Sequence, residues 1–239
     1  MSKYLNLNLN RKLTQAIKKE APMSKSQGVL PSEDNIPQSN TNVKSDTSST
    51  RYSMQENNLL WKTFFEMLYY SGTRVGEAKA LTWNDTDFTN IRINKSVFSK
   101  LKRKKYIITN PKTNSSVRTI PIPKVLTNDL KLLFEESKKI YEFNNSMFIF
   151  GGSFPLADTT IQKRKNELCK KANVKQIRIH DFRHSTASLL INSGANITLV
   201  AKYLGHSNIA TTLNTYSHFY KSELNDIVNI INNKKISPK

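Results

Sequence analysis

Apolar positions in NNLLWKTFFEMLYYSG fall at Leu60, Phe64, Met67 and Leu68, the three- and four-residue spacing of one helix face, and Gly72 supplies the stop. Thr73 is placed to cap a second short helix, RVGEAKAL, which ends before a Trp83-Asn84-Asp85 turn. The period then changes. Residues 91–93, 106–109 and 117–122 are short β-rich runs, and the last two flank NPKTNSS, whose Asn, Pro and Ser content is turn chemistry. Three short strands predict a small antiparallel sheet on the edge of a helical domain.

Helical spacing returns over residues 127–143, with Leu130, Leu133 and Phe134 toward a core, and over residues 159–172 after the Gly151-Gly152 loop. HDFRHSTASLLINSG reads as a helix ending at Gly194, a residue type suited to the left-handed C′ position. Asn196 can cap ITLVAKYLG, and Ser207 or Asn208 can cap IATTLNTY. A tail helix over residues 221–231 carries Leu224, Ile227 and Ile231 on one side. The fold class is therefore α+β, mainly helical, with one small antiparallel sheet.

The first 53 residues have a different texture. Residues 11–20, RKLTQAIKKE, suit a short basic helix with Leu13 and Ile17 on one face. In residues 21–53, 19 of 33 positions are Ser, Thr, Asn, Gln or Pro, too few apolar groups to offset the entropy of ordering the segment. The expected organisation is a basic helix and polar linker over residues 1–53, then one globular domain over residues 54–239 that ends in the tail helix. The single cysteine of the 239 residues, Cys169, excludes an intramolecular disulfide and a Cys-rich zinc site. Its apolar phase in NELCKKAN marks a small buried hydrophobe. MSKYLNLNLNRKL lacks the apolar stretch of a signal peptide, and no run approaches the about 20 apolar residues of a membrane span. A soluble, cytoplasmic protein with no membrane partner is expected.

Charge narrows the partner. Thirty-seven Lys and Arg against 18 Asp and Glu leave a net charge of +19, a field that favours a polyanion. Nine of those cations fall between Lys95 and Lys124 with no acidic residue among them. A merely solvated face alternates sign; this one does not, and phosphates would offset it by counterion release. Lys95, Lys100, Lys102, Arg103, Lys104, Lys105 and Arg118 are the candidate DNA contacts. One rival is a helix-turn-helix regulator, since ITLVAKYLGHSNIATTLNTY has two helices at a tight turn. Its second helix offers Ile209, Ala210, Leu213 and Tyr216, and no Arg, Lys or Gln to read base edges.

Four fragments carry the chemistry: GTRVGE with Arg74 and Glu77, PKT with Lys112, HDFRH with His180 and Arg183 on one helix face, and LGHS with His206, ten residues before Tyr216. Two arginines, a lysine, two histidines and a tyrosine suit a phosphodiester attacked by a covalent nucleophile. In this order, and with the spacing from Arg183 through His206 to Tyr216, the fragments resemble the tyrosine recombinases, in their phage and conjugative-transposon integrase branch. TNPKTNSSVRTIPIP is similar to that branch's β-hairpin, and the likeness covers roughly residues 59–219.

The resemblance implies a tyrosine-recombinase catalytic fold and a site-specific strand transferase acting on double-stranded DNA. Tyr216 would attack the phosphate to form a 3′-phosphotyrosyl bond. Arg74 and Arg183 would hold the non-bridging oxygens, and His206 would hydrogen-bond them. His180 would exchange the proton of Tyr216, and Lys112 would protonate the departing 5′ oxygen. No metal or other cofactor is called for, and religation needs no ATP. Glu77 is expected to orient Arg74, and His184 and His218 to be structural or solvent-facing. The C-terminal helix would dock into a neighbouring protomer, making a tetramer on DNA. Such integrases place a helical core-binding domain before the catalytic one; the short N-terminal region departs from this, so weakened activity is expected. The alternatives are a non-catalytic DNA-binding remnant or regulator, and a topoisomerase-like enzyme with the same tyrosine chemistry.

Overall fold

The computed structural model describes residues 58–98, 106–111 and 116–216, together with residue 232. Its order is α1 (Asn58–Ser71), α2 (Val75–Ala80), a 3-10 turn (Trp83–Asp85), β1 (Asn90–Ile93), β2 (Ser96–Phe98), β3 (Ile107–Thr109), β4 (Arg118–Pro121), α3 (Lys124–Lys138), α4 (Asp158–Lys171), α5 (His180–Asn192), α6 (Ile197–Leu204) and α7 (Ile209–Tyr216). The mainly helical α+β class read from the sequence is the class observed. The short basic helix at residues 11–20, the polar linker and the tail helix at residues 221–231 lie outside the described residues.

α1 is the hub. Its apolar positions run round most of the helix, so it is buried on nearly every side, as a central helix must be. Leu60, Phe64, Met67 and Leu68, expected on the core face, are all at most 1% exposed. Phe64 meets Phe150 edge-on at 5.1 Å between ring centroids, and Phe65 stacks on Phe182 of α5 at 5.6 Å. Leu126, Leu130 and Leu133 bring one face of α3 into the same core. Cys169 is fully buried in it, and that burial pushes its thiol pKa up. A second, smaller apolar cluster joins Ala187 and Ile191 of α5, Val200 and Leu204 of α6, and Tyr216 of α7.

The strands differ from the sequence reading. Among the described residues there are four, not three, and they form two antiparallel pairs, β1 with β4 and β2 with β3. The missed strand, Ser-Val-Phe, is three residues long and follows a lysine, too little for an alternating pattern to register. The pairings explain the split. Ile93 faces Arg118 and Ser96 faces Thr109, so two residues on one side stand opposite the whole of residues 110–117 on the other. PKT, with Lys112, belongs to that connection, and the run Lys100 to Lys105 to the connection between β2 and β3; these five basic-run residues and Lys112 lie outside the described residues.

Helix ends follow local chemistry. Asn196 caps α6 by accepting the Thr198 N–H at 2.8 Å, and Asn208 accepts the Ala210 N–H at 2.8 Å ahead of α7. Gly194 closes α5 at φ +82°. Thr73 is not the cap of α2: Arg74 holds that position, and the Glu77 carboxylate reaches back to its N–H at 2.9 Å.

Candidate active site

The site is assembled where the end of α1, the start of α2, the inward face of β4 and the first turns of α5 meet the α6–α7 turn. Gly72 follows α1 at φ +60°, and a Cβ there would come within 2.5 Å of the Leu204 side chain. Only glycine fits, and its carbonyl is thereby presented to Arg183, whose Nη1 donates to it at 2.7 Å. Thr186, one turn along α5, donates to the Tyr69 carbonyl at 2.6 Å and fixes the same junction.

Arg183 is 4% exposed, and its Nη2 has no hydrogen-bond partner among the described residues. Burial first, and then the charges of Arg74 and Arg118, push its pKa down to about 9. A guanidinium in that state is poised for an anion, because an unpartnered buried donor regains its bond only when an acceptor arrives. Arg74 stands beside it with its side chain 43% exposed and its Nη1 donating to Glu77 Oε1 at 2.8 Å.

Glu77 is shared. Arg118 Nη2 donates to Glu77 Oε2 at 3.0 Å and Arg118 Nη1 to Oε1 at 3.3 Å, so one carboxylate lies between two guanidiniums. Burial works to raise the Glu77 pKa, but the hydrogen bonds and charges of Arg118 and Arg74 outweigh it and hold the carboxyl below its ordinary value. Arg118 Nε also donates to the Tyr203 carbonyl at 3.0 Å. Gly205, at φ +71°, lets that guanidinium pass; a Cβ there would lie 2.7 Å from Arg118 Nη1.

Two of the expected DNA contacts make ion pairs within the protein. Arg118 is 9% exposed and braces Glu77. Lys95 makes an ion pair with Asp85 at 2.6 Å and donates to Thr82 Oγ1 at 3.3 Å. The signal for Arg118 was in the sequence: in Arg-Thr-Ile-Pro, period-two alternation puts Arg118 on the same inward face as Ile120. A basic residue near a basic run reads as exposed unless that alternation is weighed.

His206 follows the left-handed Gly205, and its Nδ1 lies 2.6 Å from Thr212 Oγ1 of α7. Burial first, then Arg183, Arg74 and Arg118, push its pKa down to about 4, so the ring is neutral at pH 7. His180 is exposed over part of its surface at the start of α5, and burial of the rest of its ring, with Arg183 nearby, lowers its pKa too. Tyr216 is 4% exposed, and burial pushes its phenol up to about 12 against the pull of Arg183.

A histidine one turn beyond His180 meets the phenol. Tyr216 Oη lies 2.8 Å from Nδ1 of His184, one turn further along α5 and half-buried. His180 and His184 pack edge to face with ring centroids 4.8 Å apart. His184, expected to be structural or solvent-facing, is therefore part of the site. The two histidines of HDFRH are four apart and share a face, which was the available signal. Arg74, His180, Arg183, His206 and Tyr216 are brought together as expected. Among the described residues no group of three or more His, Cys, Asp or Glu could hold a metal, and no helix is long and apolar enough to cross a membrane.

Residues 32–223 match the sequence profile of the phage integrase family. The ICEBs1 integrase of Bacillus subtilis (strain 168) is 30% identical over 174 residues, which cover 70% of this chain and 47% of that protein. A tyrosine recombinase of Thermosipho africanus (strain TCF52B) is 32% identical over 176 residues, 73% of this chain and 55% of its own length. The chain spans about half the length of the curated relatives it matches. In fold it is similar to the Tn1549 transposon integrase in complex with circular intermediate DNA, with a TM-score of 0.61 at 23% identity over 84% of this chain and 67% of that one.

Proposed function

Since the chain belongs to the phage integrase family, we propose that it cuts and rejoins double-stranded DNA at specific sites through a 3′-phosphotyrosyl bond to Tyr216. The observation that carries this reading is the buried Arg183 with an unpartnered Nη2, coupled to Arg74 on one side and to Tyr216 on the other. The two guanidiniums hold the non-bridging oxygens of the scissile phosphate, and the neutral rings of His180 and His206 donate hydrogen bonds to them. Tyr216 Oη attacks phosphorus and gives its proton to a neighbouring imidazole; the bond to the 5′ oxygen breaks, and Lys112 protonates that oxygen. Attack by a 5′-hydroxyl on the phosphotyrosine reverses the step without ATP. Lys100, Lys102, Arg103, Lys104 and Lys105 track the backbone of the duplex. The catalytic domain occupies residues 54–239, and the protein works in the cytoplasm.

Assembly is part of the same reading. An apolar groove of about 390 Å³ is lined by Tyr69, Tyr70, Leu189, Leu199, Val200 and Tyr203, and Leu199 is 64% exposed. Its apolar lining supports docking of Leu224, Ile227 and Ile231 from the C-terminal segment of a second copy, giving a tetramer on DNA. Retained DNA-dependent assembly after deletion of residues 221–239 would count against this.

A nicked suicide duplex, made from the DNA flanking the coding sequence, tests the activity. Wild type is expected to give a denaturant-resistant, protease-sensitive adduct, and Tyr216→Phe none. An adduct that persists in Tyr216→Phe, or a wild type that only retards DNA reversibly, would refute the reading.

A further inference from the structure

We propose that His184 is a catalytic residue, holding the Tyr216 hydroxyl and accepting its proton as the phenolic oxygen attacks phosphorus. The inference rests on the strand-cleavage reading above and assigns the one proton in it that geometry can place. The Tyr216 Oη to His184 Nδ1 distance is 2.8 Å, within the range from which a general base takes a proton directly. Packing and hydrogen bonding set the two groups side by side before DNA arrives. Tyr216 packs with Ala187, Ile191, Val200 and Leu204, and His184 lies on α5 one residue from the Arg183 that is anchored to Gly72.

Protonation states agree with the geometry. The groups acting on His184 are His180, Asp181, Arg178 and Arg183, with Tyr216 facing it from α7. Burial first, then His180, lowers the His184 pKa, Asp181 opposing, so the ring is neutral at pH 7. The phenol is held protonated, so the hydroxyl donates and Nδ1 accepts, with the ring hydrogen on Nε2. As the Oη–P bond forms and the P–O bond to the 5′ oxygen breaks, the phenolic proton passes to His184 Nδ1. The adjoining His180, edge to face with it and exposed, offers the route to solvent.

His184→Asn tests this, because the asparagine amide can occupy the place of Nδ1 and keep a hydrogen bond while lacking the basicity to take a proton. With the full chain on the nicked duplex, adduct formation by His184→Asn is expected to fall at least about 100-fold, with DNA retardation and thermal unfolding midpoint unchanged. A duplex bearing sulfur in place of the scissile 5′ oxygen separates the two ends of the reaction, since a thiolate leaves without protonation. Sulfur should rescue Lys112→Ala and leave His184→Asn slow. A His184→Asn rate within about threefold of wild type, or its rescue by sulfur, would overturn the assignment.

A DNA-free measurement stands apart from the cleavage reading. The Nδ1 nitrogen chemical shift of His184 is expected to move in Tyr216→Phe, and an unchanged shift would overturn the assignment whatever the adduct assay shows. Failure of wild type to form any adduct would instead remove the strand-cleavage reading, and the proton step with it.

Discussion

Arg183 and Tyr216 interact within one site, yet they are anchored by unlike means. The arginine side is tied into the main core. Arg183 is bonded to the carbonyl that ends α1, Phe182 beside it stacks on Phe65, and Arg74 is joined through Glu77 to Arg118 of the sheet and on to the Tyr203 carbonyl of α6. The tyrosine side rests on a cluster of five buried residues and on the His184 hydrogen bond. The eight-residue α7 that carries Tyr216 leaves Ile209 and Leu213 each 46% exposed. Groups that bind a fixed anion gain from preorganisation, because no reorganisation is then required when charge develops. A nucleophile must travel toward phosphorus, and an element with few buried contacts moves at lower cost.

The sharpest way to break that comparison is to cut the brace. Arg118→Met would leave Glu77 buried with only Arg74 as its charged partner and is expected to lower stability by about 3–5 kcal/mol. Urea unfolding reads this directly. A loss below about 1 kcal/mol would show that Arg74 alone satisfies the carboxylate. Because the pair lies between β4 and α2, the same variant should also weaken phosphate binding, although Arg118 itself is almost fully covered.

Gly205→Ala strikes the same brace from the other side. It forces a left-handed φ of +71° on alanine and drives a Cβ to 2.7 Å from Arg118 Nη1, so a loss of about 1–3 kcal/mol is expected. Combined with Arg118→Met the two losses should fall short of additive, since the obstacle is gone. Strict additivity in a double-mutant cycle would mean that the strain is wholly in the backbone.

On the tyrosine side, Ile191→Val removes one methylene from the small cluster at a cost of about 0.5–1.5 kcal/mol. Here the comparison predicts a split. Retention on DNA and its salt dependence should stay as in wild type, while the rate of covalent adduct formation changes. A change in DNA affinity as large as that in rate would show that the two halves are one rigid unit.

How much of this could be read along the chain follows from the range of each interaction. HDFRH and the Asn196 cap are local, so their helical placement was legible. The joining of Arg74, Arg183, His206 and Tyr216 was legible through the order and spacing of the motifs. The brace was not, because Glu77 and Arg118 are 41 residues apart and nothing in a periodic pattern couples them. The split of the sheet was hidden for a related reason. Register is a pairwise property, and residues 110–116 read as an ordinary turn until β1 and β2, only two residues apart, are known to pair with strands on either side of it. The contact of His184 with Tyr216 was hidden because two histidines four apart define a face without saying what meets it, and the tyrosine that does so lies 32 residues on.

The smallest effect reports on the shared electrostatics of both sides. His180, His184 and His206 all have pKa values below the ordinary 6.5, His206 at about 4, with burial the first cause and nearby arginine charge acting in the same direction. The unfolded chain therefore binds more protons than the folded one between pH 6.5 and the depressed values. Stability is full above pH 6.5 and is lost as pH falls through that window. With the rings part-exposed and screened by solvent, the loss at about pH 5.5 should stay under about 1 kcal/mol per histidine, a shift of a few degrees in unfolding midpoint. Phosphate in the cleft would offset the arginine charge, raise the histidine pKa values and flatten the decline. Inorganic phosphate at constant ionic strength should thus stabilise wild type more at pH 5.5 than at pH 7.5. Arg183→Ala removes both the anion's anchor and the strongest charge that depresses His206, and should abolish that difference. Equal stabilisation at both pH values would mean that the three rings titrate without sensing an anion held by Arg183.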